Sequence, residues 1–212
     1  CRSSLASVST KFCFFGLSSS SRNHLATIYR INPDYKVFLV TSHSHAIDTL
    51  PSNVRLLSRS EYSSISPFSD ITLVSSATHD HISDCLLASS RTNHIVIDKP
   101  VSNSFLKTKH FIDNLSISLP PIYIFYQKRL AHTTLLLHDF LQTKNPTIQY
   151  MSLDIFKYKP NCKINQLLNF GIHYLDIILF LVNPSVICLS SFPTFQSINK
   201  FSAKLLLDSC PL

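Results

Sequence analysis

Lys11-Phe12-Cys13-Phe14-Phe15-Gly16-Leu17-Ser18-Ser19-Ser20-Ser21-Arg22-Asn23-His24 decides the fold. Lys11 to Gly16 is an almost unbroken apolar run of strand length, the pattern of a strand covered on both faces. A polar turn of serines follows, and then a helix through His24 to Arg30. A buried strand that breaks at a glycine and gives way to a helix is the first half of a parallel crossover unit.

Working outward, the same alternation repeats. Val37 to Val40 reads as a second strand, after the turn Asn32-Pro33-Asp34. Ile71 to Ser75 is a third, leading through the loop Ser76 to His81 into a helix over Ile82 to Ser89, and Ile95 to Ile97 is the next strand. Strand, helix and strand at this pace imply parallel strands joined by right-handed crossovers. A helix near Phe105 to Leu115 is closed off by Pro120-Pro121, and the boundary between domains is expected near residues 118 to 121. Beyond it, Ile122 to Tyr126 reads as a strand, Ala131 to Leu141 as a helix, Thr147 to Tyr158 as a long alternating strand and Gly171 to Leu181 as a helix. Val186 to Leu189 and Ala203 to Leu207 read as further strands. The expected fold class is therefore α/β: a Rossmann-type parallel-sheet domain over residues 1–118, then a short α/β or α+β domain with an open sheet over 119–212. Leu135-Leu136-Leu137 and Ile177-Ile178-Leu179 read most simply as core.

The bulk numbers agree with a globular enzyme-sized chain. In 212 residues, 45% are apolar and 15% charged, which excludes a disordered protein. The net charge of +7 is dispersed rather than gathered into a basic stripe, so a nucleic-acid partner is not expected; attraction to an anionic cofactor is one role for it. The apolar run Ile177 to Val182 is too short to span a bilayer, and Phe12 to Phe15 is too short for the core of a signal peptide. Six cysteines without a CxxC pair or regular framework point to a reduced, cytoplasmic compartment. Only two glycines are present, where average usage gives about fifteen, so turns fall to Ser, Asn, Asp and Pro.

Two stretches carry chemistry. Ile95-Val96-Ile97-Asp98-Lys99-Pro100 ends a buried strand in a lysine, at the carboxyl end where open α/β sheets bind ligands. An ammonium there stabilises a developing alkoxide; the alternative is a solvated loop lysine. Asn169-Phe170-Gly171-Ile172-His173-Tyr174-Leu175-Asp176 puts His173 and Asp176 on one helical face, where His173 is a proton donor and acceptor or a satisfied core histidine. The pairs His43-x-His45 and His79-x-His81 supply two ligands each and no recognised completing spacing, so no metal is expected.

These motifs, with His81 placed eighteen positions before Lys99, resemble the glucose-fructose oxidoreductase and inositol dehydrogenase family, Gfo/Idh/MocA, over about residues 11 to 190. The resemblance implies hydride transfer between NAD or NADP and a sugar, polyol or related carbonyl. It implies that Lys99 contacts the substrate oxygen and the cofactor, and that His173 transfers the proton. Asn169 stands where the family usually has an aspartate, and with Asp176 and Arg129 it is implied in substrate binding. Gly16, Ser18 and Ser21 occupy the frame of the glycine-rich dinucleotide turn, with Arg22 following. Ser42, beside Thr41, stands in place of the acid that binds the ribose, so the choice between NAD and NADP is open. Ser76 and Thr78 stand where the family often has Thr-Pro-Asn on the nicotinamide side, and His81 and Asp98 complete the implied cofactor set. A homo-oligomer through the C-terminal sheet is a further expectation. The chain ends before the second sheet would normally be complete, as in a fragment or a shortened relative that no longer turns over; the latter would bind a nucleotide or a protein partner without catalysis.

Overall fold

The computed structural model of the chain describes residues 10–42, 50–115, 119–144, 151–156, 173–174, 176–181, 187–189 and 200–207. They divide between two compact units, Cys1–Phe125 and Tyr126–Leu212.

The first unit is a six-stranded sheet in the order β3-β2-β1-β4-β5-β6, built from β1 (Lys11–Phe15), β2 (Lys36–Val40), β3 (Val54–Leu57), β4 (Ser69–Val74), β5 (Thr92–Asp98) and β6 (Ile122–Phe125). Every neighbouring pair is parallel, as the strand and helix alternation requires. Among the described residues its α-helices are α1 (Ser19–Ile31), α2 (Arg59–Ile65), α3 (His81–Ala88) and α4 (Phe105–Asp113). The period of two along β1 explains how the sheet holds two cores. Cys13 and Phe15 join Tyr62, Cys85, Ile95 and Ile97 in one buried cluster, while Phe14 joins Leu25, Val37 and Leu39 in the other. Phe15 meets Tyr62 edge to face, with centroids 5.0 Å apart.

Three expectations need correction here. The strand Ile122 to Tyr126 belongs to the first sheet and not to a second domain: Ile122, Tyr123, Ile124 and Phe125 pair with Ile95 to Asp98 of β5. Pro120-Pro121 ends the connection from α4 without ending the domain, and the Pro121 carbonyl accepts from Ile95 N–H at 3.0 Å. Secondly, α1 begins at Ser19 because Ser18 is its N-cap, so the serine run is helix start more than turn. Thirdly, β3 and α2 fill the stretch between Val40 and Ile71 where no element was expected. Their one sequence signal is the pair Ser58 and Glu61, a capping box in which Glu61 accepts from Ser58 N–H at 2.7 Å and Ser58 Oγ from Glu61 N–H at 3.1 Å.

The second unit contains α5 (His132–Lys144) and an antiparallel sheet in the order β7-β9-β8, from β7 (Met151–Phe156), β8 (Ile187–Leu189) and β9 (Lys200–Leu207). Residues 173–174 and 176–181 are helical. Leu135, Leu136 and Leu137 are exposed, contrary to the expectation of core, whereas Thr134 and Leu141 are buried. Three consecutive residues sweep most of a helical turn, so they cannot share a buried face; positions seven apart can. Among the described residues no helix is long and apolar enough to cross a membrane.

Candidate functional site

The sheet order reverses between β1 and β4, and open parallel sheets bind ligands outside the carboxyl ends of their strands at such a point. A cleft of about 320 Å³ lies there, lined by Gly16, Leu17, Ser18, Val40, Thr41, Ser42, Arg59, Ser75, Ser76, Ala77 and Asp80. A larger hollow of about 570 Å³, bounded by Ile82, Leu86, Leu106 and Phe111, is an apolar groove between α3 and α4. Position at the strand ends, not volume, selects the first.

Gly16 shapes the cleft. Its φ is +87°, and a Cβ would lie 2.4 Å from Ser76 Cα and 2.9 Å from the Ser75 carbonyl oxygen. Only glycine permits the β1–α1 turn to cross the β4–α3 loop this closely. Ladder bonds continue to the turn itself: Gly16 N–H donates to the Val40 carbonyl at 2.8 Å, and Ser75 N–H to the Phe15 carbonyl at 2.9 Å.

The two serines in the other glycine positions build the start of α1. Ser18 has φ −72°, so its Cβ causes no strain. Its Oγ accepts from Ser21 N–H at 3.1 Å, and Ser21 Oγ accepts from Ser18 N–H at 3.2 Å, which closes a capping box. Ser21 is buried within this box and does not line the cleft. The box satisfies two of the N–H groups at the start of α1; a helix N-terminus is in general the positive end of the helix dipole.

Of the other implied cofactor residues, Ser42 and Ser76 line the cleft. Arg22 is exposed on α1, and Thr78 and Asp98 are partly buried outside the lining. His81 is buried, with Nδ1 2.9 Å from the Pro100 carbonyl oxygen and Nε2 3.0 Å from that of Ser76. It ties the β4–α3 loop to the turn after β5 that carries Lys99. The two charged residues of the cleft, Arg59 and Asp80, were missed. Arg59 Nε and Nη2 each donate to Asp84 at 2.8 Å, and Nη2 also to Asp80 at 3.1 Å. Asp84 accepts a further bond from Ser76 Oγ at 2.6 Å. The Asp84 bonds raise the Arg59 pKa, so the guanidinium stays charged at every working pH.

In the second unit, Arg129 and Asp176 form a bidentate ion pair, Nε to Oδ2 at 2.7 Å and Nη2 to Oδ1. Its carboxylate is buried, and the bond to it raises the Arg129 pKa. The guanidinium lies 5.5 Å from the Tyr126 ring centroid and 5.3 Å from that of Phe180. His173 is buried and meets Tyr126 edge to face at 6.4 Å. Burial raises the Tyr126 pKa and Asp176 adds to it, while Arg129 acts against both. Asn169 lies outside the described residues, as do His43 and His45. Among the described residues no group of three His, Cys, Asp or Glu side chains is placed to hold a metal.

The first unit is thus a Rossmann-type α/β fold, a parallel six-stranded sheet with helices between its strands, and a second, sheet-bearing unit follows it. No protein-family model and no curated protein sequence matches the chain. Among solved structures it is similar to the WlbA dehydrogenase of Bordetella pertussis in complex with NADH and UDP-GlcNAcA, with a TM-score of 0.73 at 16% identity over 88% of this chain and 62% of that one. The WlbA (WbpB) dehydrogenase of Thermus thermophilus, in complex with NAD and alpha-ketoglutarate, gives 0.68 at 14% identity, over 94% of this chain and 70% of that one. The yvaA protein of Bacillus subtilis, described as an oxidoreductase, gives 0.74 at 13% identity, over 96% and 62%. The chain spans about three fifths of the length of the first structures it matches. At these identities the likeness is one of fold, and it is the fold that the resemblance to Gfo/Idh/MocA oxidoreductases implies.

Proposed function

We propose that the protein is an NAD(P)-dependent oxidoreductase acting on a sugar, polyol or related carbonyl. The observation that carries this reading is the cleft at the sheet's reversal point, where Gly16 lets the β1–α1 turn cross the β4–α3 loop with no room for a Cβ and where Ser18, the N-cap of α1, is part of the lining. Those features fit the pyrophosphate of a dinucleotide. When bound, the nicotinamide supplies or accepts the hydride at the substrate carbon. The Lys99 ammonium holds the carbonyl oxygen and stabilises charge as it becomes an alkoxide, and His173 delivers the proton that completes the alcohol. His81 positions the Lys99 turn. The NADH, NAD and nucleotide-sugar complexes of the similar dehydrogenases support the same assignment of ligand class.

The ion pair between Arg129 and Asp176 favours a second reading. Two residues assigned to substrate are occupied with each other, as in a relative that keeps the fold to bind a nucleotide or a protein without turnover. Calorimetric titration with NADH and NADPH, followed by assay of carbonyl reduction over a panel of sugars and polyols, separates the two. The oxidoreductase reading expects nucleotide binding and turnover, with Lys99→Ala and His173→Ala each removing most turnover while binding persists, and Asn169→Asp preserving or raising it. Binding without turnover across the panel, in the wild type and the Asp variant alike, selects the silent relative. No binding of either nucleotide overturns both nucleotide readings.

A further inference from the structure

The end of β2 carries neither a carboxylate nor an arginine in sequence, but folding brings an arginine to it. Arg59, the first residue of α2, lines the same cleft as Thr41 and Ser42. Those two neutral residues place no fixed negative charge at the position where a carboxylate would repel a 2′-phosphate.

Arg59 is preorganised to read an anion. Its Nε and Nη2 hydrogens are all committed: one from each nitrogen to Asp84, and the second of Nη2 to Asp80. This pins the guanidinium plane and leaves the two hydrogens of Nη1 without an acceptor among the described residues. The anchoring carboxylate lies inside the fold while the cation reaches the cleft, with side chains 2% and 44% exposed for Asp84 and Arg59. A donor held in place by a buried partner loses little freedom when a ligand arrives. Asp80 is the opposing charge. It lines the cleft, is one-third exposed at 33%, and accepts from Nη2 rather than Nη1.

The geometry points to Arg59 as the residue that sets the phosphate state of the coenzyme: Nη1 donates to the 2′-phosphate of the adenosine ribose, and NADP(H) is preferred over NAD(H). Asp80 moderates the preference by its charge. This inference rests on the proposed reading of the cleft as a dinucleotide site.

The test compares ADP with 2′,5′-ADP, and NADH with NADPH, by calorimetry on the full chain. Charge-assisted bonds to phosphate predict that the 2′-phosphorylated forms bind the wild type about tenfold or more tighter, by a ratio that shrinks as salt rises. Asp80→Asn should widen the ratio. Arg59→Ala should bring it to about one; because that variant leaves Asp84 buried without its partner, Arg59→Ala is also made together with Asp84→Asn, with folding checked by circular dichroism. Equal binding of ADP and 2′,5′-ADP by the wild type, or a ratio that persists in the double variant, overturns the role of Arg59 and leaves the dinucleotide reading standing. If neither ADP nor 2′,5′-ADP binds, the dinucleotide reading falls and this inference with it.

Discussion

Gly16 and Ser18 stand two residues apart in one turn and are bound by opposite constraints. Gly16 has a left-handed φ and no room for a side chain, whereas Ser18 has an extended backbone that any residue adopts and a hydroxyl the helix uses. Gly16→Ala therefore meets two penalties, about 1 to 2 kcal/mol for the backbone region and a further cost for pushing the Ser75–Ser76 backbone away. Urea unfolding should show a loss of more than about 2 kcal/mol, and nucleotide binding should weaken with it; a variant as stable as the wild type would remove the close approach from the account of the cleft. Ser18 makes the contrary case. A dinucleotide fingerprint would have glycine there, yet Ser18→Gly should lose a few tenths of a kcal/mol and Ser18→Ala about 1 kcal/mol, because each deletes the cap. A gain in stability in Ser18→Gly would show that the box contributes nothing. At this scale the motif frame, Gly16 and the Asp98-Lys99-Pro100 turn were legible in the sequence. The capping box of Ser18 and Ser21 was not, since it depends on a backbone angle that a serine does not announce.

The elements read correctly are those whose burial shows in composition. β1, β2, β4 and β5 are apolar runs because helices cover both faces of a parallel sheet. β3 is four residues long with Arg55 among them, and α2 is a seven-residue helix rich in serine, so neither has a period to detect. What anchors α2 is a single side chain, Tyr62, fully buried against Phe15, together with the ion pair from Arg59 to α3. Arg59 was illegible as a site residue for the same reason: α2 and α3 meet only in the fold, and no spacing in the sequence connects Arg59 to Asp84. The packing beneath these helices has a consequence in pH. Burial pushes the Cys85 thiol up from its ordinary 9.0 to about 12. Cys13 is raised as well, by burial first, with the neighbouring Tyr62 hydroxyl acting against it and the Asp84 charge adding to it. Unfolding therefore releases protons in alkali. The stability these thiols contribute is complete below their unfolded pKa near 9 and is lost as pH rises toward 12. Urea midpoints should be insensitive to these groups up to about pH 8 and fall steadily above about pH 9. The Cys85→Ala variant should lose part of that alkaline slope, and an unchanged slope in Cys85→Ala would assign it to other groups.

For the whole chain, the question is where the first unit ends. The paired prolines Pro120-Pro121 read as a boundary, and the sheet crosses it. β6 lies on the outer side of β5, whose Ile95 and Ile97 are fully buried, and its four residues pair in register from Ile95↔Ile122 to Asp98↔Phe125. A fragment ending at residue 118 would strip that strand away. It would leave the β5 backbone without its ladder partner, uncover apolar surface around Ile95, and present an unpaired edge of the kind that recruits other chains. A fragment ending at Phe125 keeps all six strands and both buried clusters. Residues 1–125 should then unfold in one cooperative urea transition and, under the proposed dinucleotide reading, bind 2′,5′-ADP as tightly as the intact chain, because every residue of the cleft lies before Phe125. Residues 1–118 should instead be less stable by several kcal/mol, on the order of the apolar burial β6 provides, and should sediment as aggregates at concentrations where the longer fragment is monomeric. If the two fragments unfold at the same urea concentration and bind equally, β6 is an accessory of the second unit and the boundary returns to the prolines.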